Sequence, residues 1–178
     1  MEQLKELTKR LIANSFKDML LQYSFEKITI KMITDHANVI RPTFYNHFHD
    51  KYELMEWLLT VEVLQKAKEC IDNNLDDEAV KCIFEGFYQD REYYRKAFEV
   101  TGQNGFEETL FKGLSDFFAV WYMRTHESGD NAKLISDYYA AGIIIVIKYM
   151  LFDASEGTSV ENVISFYQNL VAHNIYKD

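Results

Sequence analysis

The chain has 178 residues, 48% of them apolar and 15% aromatic, enough for a substantial core and far from the composition of a disordered segment. One proline and seven glycines are too few for the frequent turns of a β-rich protein, so an all-α fold is expected. The net charge of −9 argues against a uniformly basic, nucleic-acid-coated surface, but the charge is unevenly placed. Residues 1–60 carry eight basic and eight acidic side chains, whereas residues 61–178 carry eleven and twenty. Between Lys27 and His49 the only acid is Asp35, where the average frequency would give about four.

The first 25 residues are amphipathic and charged, unlike a signal peptide. Leu4, Leu7, Leu11, Phe16, Leu20 and Tyr23 recur at helical steps and predict a helix over Glu2 to Tyr23 with one apolar face. A break at "SFEKIT" precedes a short helix, with Thr29 as its N-cap and Ile30, Ile33 and Ala37 facing inward. In the turn "ANVIR", Asn38 can adopt the left-handed conformation that glycine usually fills. Pro42 then fits the first position of a helix, where its missing N–H leaves no bond unmade, and it holds Arg41 extended as an N-cap. This helix is expected to end near Phe48. Asp50 starts the next, with Glu53 three residues on as a capping-box-like pair, and Leu54, Trp57, Leu58, Val61 and Leu64 give it an inner face as far as about Asn73.

The polar run "DNNLDDE" marks the best domain boundary. Beyond it, helices are expected at about 76–89, 91–100, 106–127, 131–153 and 159–176, with Gly129 and Gly157 as stops and Thr158 and Glu161 as a capping box. About nine helices result. The most apolar run, Tyr138 to Phe152, is interrupted by Lys148 and falls short of the about 20 residues that span a bilayer. Cys70 and Cys82 match no disulfide framework or metal motif. They read as reduced core thiols, with redox sensing as the alternative, and the expected compartment is the cytoplasm.

On a helical wheel Phe44 and Phe48 share one face, and Pro42, Thr43, Asn46 and His47 occupy the opposite arc with Tyr45 on the flank. A short helix of this kind, following another by a tight turn, is a helix-turn-helix. Its second helix would enter the major groove, where Thr, Asn and Arg can address base edges and Tyr45, His47 and Lys51 are types that hold phosphates. His47, His49, Asp50 and Glu53 do not make a metal site, because positions two apart on a helix do not share a face. No nucleophile–base pair, Gly-rich phosphate loop or carboxylate dyad is evident, so neither an enzyme nor a cofactor is expected.

The stretch "ITIKMITDHANVIRPTFYNHFHDKYEL" resembles the DNA-binding signature of TetR-type transcriptional regulators. The resemblance covers about residues 8 to 60, including the Thr that opens the second helix, the Ala-x-Val turn, "PTFYNHF" and the Lys followed by Glu-Leu. It implies a symmetric homodimer with an N-terminal helix-turn-helix domain (1–50), a connector helix (about 51–73) and a C-terminal regulatory and dimerisation domain (74–178). It implies phosphate contacts from Thr29, Tyr45, His47 and Lys51, and places Lys31, Arg41, Pro42, Thr43 and Asn46 at or near bases. Asn38 replaces the commoner turn glycine, and Ile40 replaces a polar residue just before the recognition helix.

By the same resemblance the last two helices form an intersubunit bundle, for which Ile143, Ile147, Val163, Tyr167 and Leu170 are the candidates. Plain intrachain core is the competing reading of these residues. Aromatics crowd the middle of the chain at Phe84, Phe87, Tyr88, Tyr94, Phe98, Phe118, Trp121, Tyr122 and Tyr139. All but Phe84 are candidate lining for an effector pocket, though aromatics at helical spacing are more often core. "TFYNHFHDKYELMEWL", with "YAAG" near the end, also resembles a subgroup that includes activators of dihydroxyacetone kinase operons, in which signal reception can lie in a partner protein. The expected function is regulation of transcription on a palindromic operator, by a repressor released by an effector. The alternative is an activator or interaction module that takes its signal from a partner protein. No membrane role is expected.

Overall fold

A computed structural model describes residues 2–125, 131–153 and 159–172. Among these residues every regular element is helical: α1 (Glu2–Gln22), a 3-10 turn (Phe25–Lys27), α2 (Ile30–His36), α3 (Arg41–Tyr45), α4 (Lys51–Leu59), a π turn (Thr60–Leu64), α5 (Gln65–Asp72), α6 (Asp76–Gln89), α7 (Arg91–Phe98), α8 (Phe106–Thr125), α9 (Ala132–Phe152) and α10 (Val160–Ala172). The expected positions agree closely, because caps and turn residues act locally. Gly129, Gly157 and Thr158 lie outside the described residues.

The chain divides into two compact units, Met1–Leu59 with Glu92–Thr109, and Thr60–Arg91 with Leu110–Asp178. The first unit therefore includes α7, which sequence alone places in the C-terminal domain. Phe16 of α1 is fully buried there, with its ring 6.2 Å from Phe25 and 6.5 Å from Tyr93. Ser15 donates to the Ile33 carbonyl at 2.7 Å and ties α1 to α2.

The buried face of α1 is Ile12, Phe16, Met19 and Leu20, whereas Leu4, Leu7, Leu11 and Tyr23 are exposed. The expected stripe is thus corrected. The five-residue step from Leu11 to Phe16 turns about 140° beyond a full turn, which carries the leucines to another face.

In the second unit the π turn sits between α4 and α5, and it moves the buried position from the expected Val61 to Val63. Closely approaching helices flank it. A Cβ added to Gly86 would lie 3.1 Å from Val63 Cγ2, and one added to Gly113 would lie 2.6 Å from Leu64 Cδ1. Cys70 and Cys82 meet here, half-buried, with sulfurs 3.7 Å apart. Burial above all, then the hydrogen bond with Cys70, pushes the Cys82 thiol up to about 11.

Ile143 and Ile147 of α9 and Val163 of α10 are buried in the unit's own core, which corrects their assignment to an intersubunit face. Tyr167 is half-buried with its ring 6.0 Å from that of Phe84, and the Leu170 side chain lies outside the described residues. Among the described side chains, the large exposed apolar ones of these helices are Leu134, Tyr138, Ile145, Tyr149, Phe152 and Phe166. α9 spans 21 residues and is, by length and composition alone, long and apolar enough to cross a membrane; the apolar run Tyr138 to Phe152 is its C-terminal part. Ala140, Ile143, Ile144, Ile147, Met150 and Leu151 bury one side of it in the core.

Phe44 is fully buried and anchors a helix of only five residues. Phe44→Ala should cost about 3–5 kcal/mol of stability in the first unit, read as an earlier denaturant midpoint. A midpoint within error of the parent would exclude the anchoring role.

Candidate nucleic-acid interface

Helix α2 opens as the sequence suggests, with the Thr29 hydroxyl accepting from the Met32 amide at 3.2 Å. It closes on Asn38 at φ 53°, and the Val39 amide donates back to the Thr34 carbonyl at 3.0 Å. The asparagine fills the left-handed position that would otherwise need glycine.

Helix α3 begins one residue earlier than expected. Ile40 is its N-cap (φ −81°, ψ 150°), Arg41 its first residue and Pro42 its second. The first bond runs from the Thr43 amide to the Ile40 carbonyl at 2.9 Å, and the proline still falls in the first turn, where amides have no intrahelical acceptor. The helix closes at Asn46, and the Phe48 amide donates to the Phe44 carbonyl at 2.9 Å. Phe44 and Phe48 are buried, 5.8 Å apart, and Phe48 meets Trp57 of α4 at 5.7 Å.

Asp50 caps α4 by accepting from the Tyr52 and Glu53 amides at 2.8 and 2.9 Å, and Glu53 reaches back to the His49 amide at 2.5 Å. That reciprocal pair is the expected capping box, displaced by one residue on the returning side.

The outward surface comprises Arg41, Pro42, Tyr45 and Asn46, all exposed, with Thr43 and His47 half-buried. None of these is acidic. The Arg41 guanidinium lies over the Tyr45 ring at 5.7 Å and donates to its hydroxyl at 3.3 Å, so the two side chains form one unit. Lys31 pairs with Asp35 at 2.5 Å, which covers the single acid of the window.

Two residues absent from the sequence-based expectation join the site. Lys9 of α1 sits over the rings of Phe48 and Trp57 at 5.9 and 5.6 Å. Burial first, then the charges of Lys9 and Lys5, push the His47 imidazole below its ordinary value. Lys5 and Lys9 are four residues apart and share a face of α1. That spacing was visible in the sequence, but its nearness to His47 depends on how α1 packs.

Lys51, expected at a phosphate, is engaged within the first unit. Its ammonium donates to the carbonyls of Phe25 and, at 3.0 Å, Ile28, and lies 4.1 Å from the centre of the Phe25 ring. Burial holds its pKa below the usual lysine value, although Glu26 and Asp50 pull the other way.

The aromatic candidates of the middle region separate. Tyr94 and Phe98 pack around Phe106 in the first unit, at 5.9 and 5.1 Å. In the second unit Phe118, Trp121 and Tyr139 form a cluster with centroids 5.4–6.3 Å apart. Phe87, Tyr94 and Phe118 are core residues; Tyr88 is exposed beside Arg91, and Tyr122 is half-buried.

Lys51→Met should destabilise the first unit by about 1.5–3 kcal/mol through loss of charged hydrogen bonds, measured by urea unfolding. A weakened DNA complex with unchanged stability would restore the phosphate role instead.

His47 titrates below 6.5 in the folded chain, so as pH falls below that value the unfolded state gains a proton first and this contribution to stability is lost. A nearby phosphate would raise the imidazole pKa. Affinity for duplex DNA should therefore increase between about pH 7.5 and pH 5.5, and His47→Gln should flatten that part of the profile in fluorescence anisotropy. Identical pH profiles would remove His47 from the contact set.

Comparison with known proteins agrees with this geometry. The family model described as bacterial regulatory proteins, tetR family, matches residues 17–58. A second model, transcriptional regulator C-terminal region, matches residues 73–170. The chain is 23% identical over 181 residues to the HTH-type dhaKLM operon transcriptional activator DhaS of Lactococcus lactis subsp. lactis, covering 95% of this chain and 91% of that one.

Among solved structures, the dihydroxyacetone kinase operon activator DhaS superposes with a TM-score of 0.64 at 22% identity, covering 93% of this chain and 94% of that one. A transcriptional regulator from Aquifex aeolicus VF5 gives 0.63 at 14% identity, over 93% and 98% of the two chains. NalD, the secondary repressor of the MexAB-OprM multidrug efflux pump in Pseudomonas aeruginosa, gives 0.58 at 16%, over 92% and 96%. With a helix-turn-helix at one end and a matched regulator domain over more than half its length, the chain belongs to the TetR family of bacterial transcriptional regulators.

Proposed function

We propose that the chain acts as a homodimer that binds a palindromic operator, with α3 of each subunit in the major groove, and that an effector releases it. The observation that carries this reading is the outward face of α3: exposed, free of acids and fixed by two buried phenylalanines. Thr43, Asn46 and Arg41 are the base-directed groups; Thr29, Tyr45 and His47 hold phosphates, with Lys5 and Lys9 adding positive potential beside them. Lys31 acts at the edge of this surface, partly offset by Asp35. Two such heads about 34–36 Å apart enter successive major grooves, and a change in that spacing ends binding.

The dimer face proposed here is the exposed one: Leu134, Tyr138, Ile145, Tyr149 and Phe152 of α9 with Phe166 of α10. An apolar stripe of this extent on a folded surface marks an interaction site. Ile145→Glu combined with Tyr149→Glu should give a folded monomer in sedimentation velocity that no longer binds DNA at the parent's concentration. A variant that stays dimeric would move the interface elsewhere.

A second reading, an activator that receives its signal from a partner protein, is favoured by the likeness to DhaS, which is an operon activator. Gel shift on the chain's own upstream region tests DNA binding, and affinity should fall steeply with salt. Tyr45→Ala should weaken the complex further. No binding above the non-specific level would leave the interaction-module reading in its place. Transcription in vitro from the bound promoter, with and without the protein, gives the sign of regulation.

A further inference from the structure

Ile40 stands at the N-cap of α3 with 69% of its surface exposed, and its side chain makes no capping hydrogen bond. Ser, Thr, Asp or Asn would serve the cap better, so neither capping nor the core explains isoleucine there. Its outward neighbours are Pro42, also exposed, and the half-buried Thr43. Arg41 is turned onto Tyr45 and does not cover it. The leading end of α3 is therefore an apolar tip on an otherwise polar face.

In a helix-turn-helix the residues at the start of the second helix approach base edges. The major groove offers such a tip one protruding apolar group, the C5-methyl of thymine, set among nitrogen and oxygen edge groups that donate or accept hydrogen bonds. An isoleucine laid on those polar edges would strip water from them without replacing its bonds. Against the methyl, both surfaces leave water to mutual advantage.

We propose that Ile40 is a specificity-determining residue that reads a thymine methyl in each half-site. The assignment rests on the DNA-binding reading above and deepens it.

The test uses the duplex that the protein selects from a randomised pool. Each thymine is replaced in turn by dU, which removes only the methyl. At one symmetry-related position the change should weaken binding about fourfold per half-site and about fifteenfold when both are replaced, as expected for one buried carbon at each. Ile40→Ala should bind the thymine and dU duplexes equally, whereas Ile40→Val should keep most of the difference.

If no thymine is sensitive to the replacement, or if Ile40→Ala keeps the full sensitivity, the assignment to Ile40 is overturned while DNA binding stands. If no duplex is selected at all, the DNA-binding reading fails and this inference falls with it.

Discussion

Burial of Phe44 and Phe48 is the constraint on which the reading surface depends. A five-residue helix closes too few hydrogen bonds to repay its own nucleation, so α3 has no stability of its own. It exists because two aromatic rings on one side are held by the first unit, one of them against Trp57. The side chains opposite are thereby freed from packing into the core. Polar side chains at an exposed helix surface cost little to vary, so such a helix can change its specificity without endangering the fold.

Charge follows the same division. The acids of the chain are concentrated beyond residue 60, and the head keeps a balanced count with its single acid near α3 paired to Lys31. Lys5 and Lys9 bring positive potential from α1 to the end of α3, where they add to burial, the larger cause, in lowering the pKa of His47. A protein with a net charge of −9 can thus present a surface that DNA does not repel, because screening in salt makes the local charges count more than the distant ones.

What the sequence made legible was local. Pro42, Asn38, Thr29 and the Asp50–Glu53 pair each work through bonds to residues within a few positions, and the helix limits follow from them. What it concealed was set by partners distant in the chain. Leucines and phenylalanine recur along α1 at steps that fit one apolar stripe, but only packing against Phe25 and Tyr93 decides which side is inner. Lys51 matches a phosphate-binding motif, yet carbonyls more than twenty residues away hold its ammonium. Ile143 and Ile147 looked fit for either a core or a subunit contact, and periodicity could not separate the two faces of an almost wholly apolar helix.

The Lys31–Asp35 pair has a consequence for how this surface can evolve. An exposed ion pair one helical turn apart adds little to stability, so selection on folding would scarcely notice its loss. Electrostatically the two positions are unequal. Losing Lys31 first withdraws a cation and uncovers an anion at the edge of the surface proposed to face DNA, whereas losing Asp35 first only releases a cation. The order of substitution therefore matters: a lineage that drifts through Asp35 passes over level ground, and one that begins at Lys31 must cross a valley.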